Sequence, residues 1–221
     1  WSSVNRGVKH ANTTITSGSA ATPTTAAPPR RHDRKRLVRL AHPVLPAADQ
    51  ANKIGPLLLN FGGPGASGIN ILAESGRGVV PAEIGNRFDL VSWDPRGVNR
   101  SAPVECLSDS EMDDWAATPG IPNQPTAKDW AAALSDAQWF ADKCKAGTGE
   151  MLAYIGTTAS ARDTESIRVG LGVPKLDYLG FSYGTALGAV YATLFPTSTG
   201  HLILDGAVDM APTDESEYGE Q

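Results

Sequence analysis

Apolar residues fall along the chain in two rhythms. Short, mostly apolar runs occur at Leu57–Phe61, Phe88–Trp93, Leu176–Phe181 and His201–Asp205, introduced or stopped by Gly55-Pro56 and Asp94-Pro95. Runs of that length between turn residues suit strands buried on both faces, as in a parallel sheet. Leu37–Val44 alternates apolar and polar residues and suits an early strand near an edge. Between these runs the apolar spacing turns helical. Residues 128–144 carry Trp130, Ala133, Leu134, Trp139 and Phe140 on that spacing, and Thr126 with Asp129 has the form of a capping box. Residues 160–171 repeat the design, with Ser160 three positions before Asp163, and 186–194 form a small apolar helix. Strands alternating with helices predict an α/β fold, a mostly parallel sheet with helices on both faces. No internal repeat is found. Helical spacing puts Trp130 and Trp139 in the core, although with Trp115 they could also form a peptide-binding wall. Trp93 is expected to be buried.

The N-terminal 36 residues lack either rhythm. Ala11–Pro29 is mostly Thr, Ala, Ser and Pro, and a basic run follows at Arg30, Arg31, Arg34, Lys35 and Arg36. Such a stretch cannot bury enough apolar surface to offset its ordering entropy. Two regions are therefore expected: an irregular or disordered 1–36, and a folded 37–221. The basic run reads as solvated surface charge. With 24 acidic against 19 basic residues the net charge is -5, which argues against nucleic acid as the main partner. No apolar run approaches the roughly 18 residues of a membrane span. Two cysteines cannot build a structural zinc site alone, and neither a metal nor an organic cofactor is expected.

Gly180-Phe181-Ser182-Tyr183-Gly184 matches G-x-S-x-G and lies between a predicted strand and a predicted helix. There the motif forms a sharp turn that lifts the serine hydroxyl above the carboxyl end of the sheet, and its glycines avoid collisions with the neighbouring strand and helix. Ser182 is the candidate nucleophile. Asn60-Phe61-Gly62-Gly63-Pro64-Gly65 follows the first buried strand. Its glycines can turn backbone N–H groups toward an open cleft. Gly63 is the preferred oxyanion donor with Gly62 second, because Pro64 has no N–H, and the N–H of Tyr183 is the other donor. A rival reading exists. Gly63, Gly65 and Gly68 also satisfy G-x-G-x-x-G, with Asp89 about twenty residues on, the outline of a dinucleotide-binding oxidoreductase. Pro64 within the loop and Asp89 inside its strand count against it.

These motifs, with Ser92-Trp93-Asp94-Pro95-Arg96-Gly97 and Leu204-Asp205-Gly206 in the same order, resemble the α/β-hydrolases of the proline iminopeptidase and tripeptidyl aminopeptidase group. The likeness runs from about residue 37 to 210. It implies a serine exopeptidase acting on free peptide N-termini, exported or on the cell surface, with a peptide or a small ester or amide as substrate. Esterase or lipase chemistry on the same fold is the alternative. Asp94 and Arg96 match a structural turn beside the site and are expected to brace it as a pair. The resemblance also favours a disulfide between Cys106 and Cys144 over two free thiols.

A serine nucleophile needs a base and an orienting acid, in the chain order Ser, Asp or Glu, His. His201 alone follows Ser182, at the start of a strand whose other end faces the site; His10, His32 and His42 precede it. Asp205 and Asp209 come too soon after the nucleophile helix for the usual acid. The expectation is an N-terminal part of a hydrolase, truncated before the helical cap and last strands, and inactive alone.

Overall fold

The computed structural model describes residues 9–16 and 37–208. Among the described residues six strands form one mixed sheet in the order β1-β2-β4-β3-β5-β6. They are β1 (Lys9–Thr16), β2 (Leu37–Leu45), β3 (Gly55–Asn60), β4 (Phe88–Ser92), β5 (Leu176–Phe181) and β6 (Thr199–Asp205). β1–β2 and β2–β4 pair antiparallel, whereas β4–β3, β3–β5 and β5–β6 pair parallel. The helices are α1 (Gly68–Ser75), α2 (Ala82–Arg87), α3 (Asp109–Ala116), α4 (Ala127–Thr148), α5 (Thr157–Leu171) and α6 (Tyr183–Leu194). No helix among the described residues is long and apolar enough to cross a membrane.

Strand pleating sends alternate side chains to opposite faces, and two cores result. Leu58, Val91, Leu176 and Tyr178 pack with Ile167 of α5 and Leu187 and Tyr191 of α6. Leu57, Leu59, Leu90 and Leu179 pack with Leu72 of α1 and Val80 on the other face. The central strands are covered on both sides, which accounts for their mostly apolar runs. Trp93 is fully buried in the first core.

Several expectations need correcting. Lys9–Thr16, inside the stretch read as irregular, pairs with β2 over its whole length. Its Thr-rich composition suits a strand, since β-branched side chains fit a pleated surface. The basic run at 30–36 lies outside the described residues, as does Asp209. Among the described residues β6 lies at the edge of the sheet, with Ile203 and Leu204 exposed, where a buried strand was expected. α4 begins with the Thr126–Asp129 capping box, yet Cys144 is its sole buried residue, so Trp130 and Trp139 are not core side chains. α5 starts from Gly156, and Ser160 and Asp163 are buried within it rather than capping it. Asp163 is drawn inward by a partner 67 positions away.

α3 and α4 form a hairpin between β4 and α5. Ser108 and Glu111 make a capping box at its start, and Glu111 also pairs with Lys143 of α4. The Lys143 ammonium, helped by Ser108, lowers the Glu111 carboxyl to about 2. Cys106 and Cys144 are joined as a disulfide, with sulfurs 2.02 Å apart.

Candidate active site

β5 ends at Phe181 and α6 begins at Tyr183, leaving Ser182 alone between them. Its backbone sits at φ 50° and ψ -122°, a region costing a non-glycine residue on the order of 1–3 kcal/mol. The surroundings hold it there. The Ser182 N–H donates to the Asp205 carbonyl at 2.9 Å. The Ser182 carbonyl accepts from the Thr185 N–H at 2.8 Å and the Thr185 hydroxyl at 2.6 Å. Tyr178, buried beneath the turn, donates to the Gly184 carbonyl at 2.7 Å. Burial pushes the Tyr178 phenol far above its ordinary pKa, so it remains a neutral donor.

The glycines are required by space. A Cβ on Gly180 would stand 2.4 Å from the Gly184 carbonyl oxygen, and one on Gly184 would stand 2.7 Å from the Asn60 backbone and side-chain oxygens. The Ser182 side chain, by contrast, is exposed to solvent.

The loop after β3 runs against this turn. A Cβ on Gly62 would lie 2.5 Å from the Phe181 carbonyl, 3.1 Å from Ser182 Cβ and 3.2 Å from the Tyr183 nitrogen. Gly62 at φ 84° and Gly63 at φ 104° both occupy backbone space that favours glycine. The Gly62 N–H is already donated to Asn60 Oδ1 at 3.0 Å. The Gly63 N–H has no hydrogen-bond partner among the described residues, and Tyr183, first in α6, has no intrahelical acceptor for its own N–H. Gly62 thus brings the glycine loop against the exposed serine, and the Gly63 and Tyr183 amides are uncommitted among the described residues. β4 pairs on one side of β3 and β5 on the other, so loop and turn meet where the strand order reverses, the usual ligand crevice of open α/β sheets.

Residues 55–221 match the profile of the alpha/beta hydrolase fold. The chain belongs to the α/β-hydrolase family. Among its relatives, it is 42% identical to serine protease Hip1 of Mycobacterium tuberculosis over 163 residues, covering 72% of this chain and 30% of that protein. It is 38% identical to the tripeptidyl aminopeptidase of Streptomyces lividans over 161 residues, with shares of 72% and 30%. To carboxylesterase B of M. tuberculosis it is 38% identical over 176 residues, with shares of 78% and 33%. The chain spans about a third of the length of these relatives.

Asp94 and Arg96 brace the site without pairing with each other. Asp94 is fully buried. Its Oδ1 accepts from the Ser67 hydroxyl at 2.6 Å and the Ile69 N–H at 3.2 Å, and its Oδ2 from the Arg100 N–H at 3.1 Å. It thereby ties the start of α1, just past the glycine loop, to the turn after β4. Arg96 reaches α5 instead: Nε donates to Asp163 Oδ2 at 2.6 Å, Nη2 to Asp163 Oδ1, and Nη1 to the Tyr154 carbonyl at 3.0 Å. Burial raises the Asp163 pKa although Arg96 opposes the shift. The expected pair fails because a buried guanidinium fork needs a carboxylate facing it edge-on, which α5 supplies.

His201 is far from Ser182. Its Nδ1 lies 2.9 Å from Asp177 Oδ1, and its backbone N–H donates to the same oxygen at 2.8 Å. Phe181 pairs with Asp205 and Leu176 with Thr199, so His201 sits at the amino end of the sheet. At roughly 3.3 Å per residue it is about 15 Å from the serine. Asp89 lies at that same end, opposite Pro56, where it accepts from the Ala47 N–H at 2.8 Å and pairs with Lys53 at 2.9 Å. It cannot meet a ribose at the glycine loop, and the dinucleotide reading falls with it. No His, Cys, Asp and Glu cluster suited to a metal occurs among the described residues.

Sequence reasoning missed Asn60, which occupies the second loop amide, and Thr185, whose hydroxyl also accepts from the Val208 N–H at 3.0 Å. Both adjoin the recognised motifs and were legible as polar residues in otherwise apolar surroundings.

Proposed function

We propose that this chain carries the nucleophile and oxyanion-binding half of a serine hydrolase of peptidase type, acting on the free N-termini of peptides. The exposed Ser182 in its strained turn, with Gly62 of the glycine loop packed against it, is the observation that supports this most. In this reading Ser182 Oγ attacks the scissile carbonyl, and the Gly63 and Tyr183 amides receive the developing oxyanion, each worth about 3 kcal/mol of barrier. The serine proton must pass to a base. His201 cannot serve from the opposite end of the sheet, so the isolated chain is expected to turn over no faster than its Ser182→Ala variant. The Cys106–Cys144 bond supports export to an oxidising compartment.

The decisive experiment is a chimera in which residues 55–208 replace the matching stretch of the S. lividans tripeptidyl aminopeptidase. Release of nitroaniline from a tripeptidyl anilide, abolished by Ser182→Ala, is the expected result. A folded chimera that is inert, or equally active without Ser182, would refute the assignment. Hydrolysis of nitrophenyl esters but not anilides would favour the esterase reading, which the likeness to carboxylesterase B keeps open.

A further inference from the structure

The α3–α4 hairpin carries a surface that the rest of the described fold does not cover. The two helices lean together through the stacked rings of Trp115 and Phe140, 5.2 Å apart. An open groove of about 990 Å³ runs over Trp115, Ile121, Pro122, Ala133 and Phe140. Past Trp115 it continues into a second lobe of about 370 Å³ walled by Glu111, Asp114, Asp136 and Trp139. Trp115 is 45% exposed and Ile121 49% exposed, so apolar faces stand open to water along its length. Large exposed apolar patches mark interaction surfaces.

The charge of this surface selects the occupant. Between the two cysteines lie seven acidic residues and two lysines, a net of -5, equal to that of the whole chain. The remaining residues balance. Asp114 and Asp136 make no ion pair among the described residues. Lys143 already shows how a cation is received here: its ammonium sits 5.6 Å over the Trp139 ring while pairing with Glu111. Anionic ligands would be repelled, and a second copy meeting through the same face would set -5 against -5.

We propose that this groove docks a cationic, apolar-flanked segment of a partner polypeptide. Its Lys or Arg heads meet the Asp114 and Asp136 rim and the aromatic faces, and its apolar side chains lie along Trp115, Ile121 and Phe140. Arg suits such a wall especially, because its planar guanidinium both stacks and pairs. The hairpin leaves the carboxyl end of β4, the end of the sheet that also bears Ser182, but the docking needs no contribution from the serine.

The test is fluorescence anisotropy of a fluorescein-labelled nonapeptide of repeating Arg-Pro-Leu, titrated with the full chain. Saturable binding is expected, weakened about tenfold between low salt and 0.5 M salt. The double substitution Asp114→Asn and Asp136→Asn leaves the apolar packing intact and should cost about another tenfold at low salt. Glu83→Gln, on α2 away from the groove, should change nothing. Four outcomes would overturn the proposal: no binding; equal binding of a Glu-for-Arg peptide; affinity indifferent to the double substitution; or sedimentation showing self-association through this face in place of peptide binding.

Discussion

α5 and α4 are both amphipathic helices, and their fates differ. α5 buries Ser160, Ala161, Asp163, Thr164, Glu165 and Ile167, whereas α4 buries Cys144 alone. Much of what α5 buries is polar, and it is partnered. Asp163 meets Arg96, and Glu165 receives Arg168, the Tyr191 hydroxyl at 2.9 Å and the Ser198 hydroxyl at 3.2 Å. Along α4 the large apolar side chains face water. A helical period announces an apolar side but not whether anything covers it. In the body, specificity rests on buried polar contacts between distant segments. In the hairpin it rests on one covalent link, an aromatic stack and a charged surface.

Arg96→Met should destabilise the body of the fold most. It leaves the Asp163 carboxylate in the core with no opposing charge, which costs about 4 kcal/mol at neutral pH. Burial already raises the Asp163 pKa above 3.8 in the native state, so that state binds the proton more tightly than the unfolded chain does. This contribution therefore falls as pH rises from the unfolded value toward the raised native one. Removing Arg96 raises the native pKa further and widens that window. Urea unfolding should show a penalty large at pH 7 and much smaller near pH 4; a penalty independent of pH would mean that Asp163 is not the residue left stranded.

The hairpin should answer to a different perturbation. Cys106 and Cys144 are 38 positions apart, and opening a loop of that length costs about 3 to 4 kcal/mol on the chain-entropy account. With Cys106→Ser and Cys144→Ser together, amide-exchange protection should be lost across α3 and α4 while β3, β4 and β5 keep theirs. Denatured, unreduced wild-type chain should titrate no free thiol. Protection lost equally in sheet and hairpin would show that the two are one cooperative unit.

These regions also differ in how far they could be read from sequence. β5 was legible to its last residue, because an apolar run that stops at G-x-S-x-G has one mechanical outcome. The glycine loop was legible for a related reason: Gly62 and Gly63 answer a local demand for unusual backbone and close approach. Asp163 was not legible, since the spacing from Ser160 imitates a cap and its true partner stands 67 residues earlier. β1 was hidden because its Thr-rich composition resembles that of the irregular stretch around it, and pairing with β2 is a long-range event. Trp130 and Trp139 were misplaced because aromatic residues on a helical period are usually covered, and coverage is a property of the whole assembly.

Trp130 is 53% exposed on α4, whereas Leu58 is wholly enclosed between β4 and β5. Both are large apolar residues within clear periodic patterns, so pattern alone assigns them similar importance. Leu58→Ala removes enclosed methyl groups and leaves a cavity, at about 2 to 5 kcal/mol. Trp130→Gln removes a side chain already half in water and should shift stability by under about 0.5 kcal/mol. Paired urea denaturation of the two variants gives the ratio directly. If Trp130→Gln proved as costly as Leu58→Ala, a covered α4 would be required, and the open groove beside it would have to be abandoned as well.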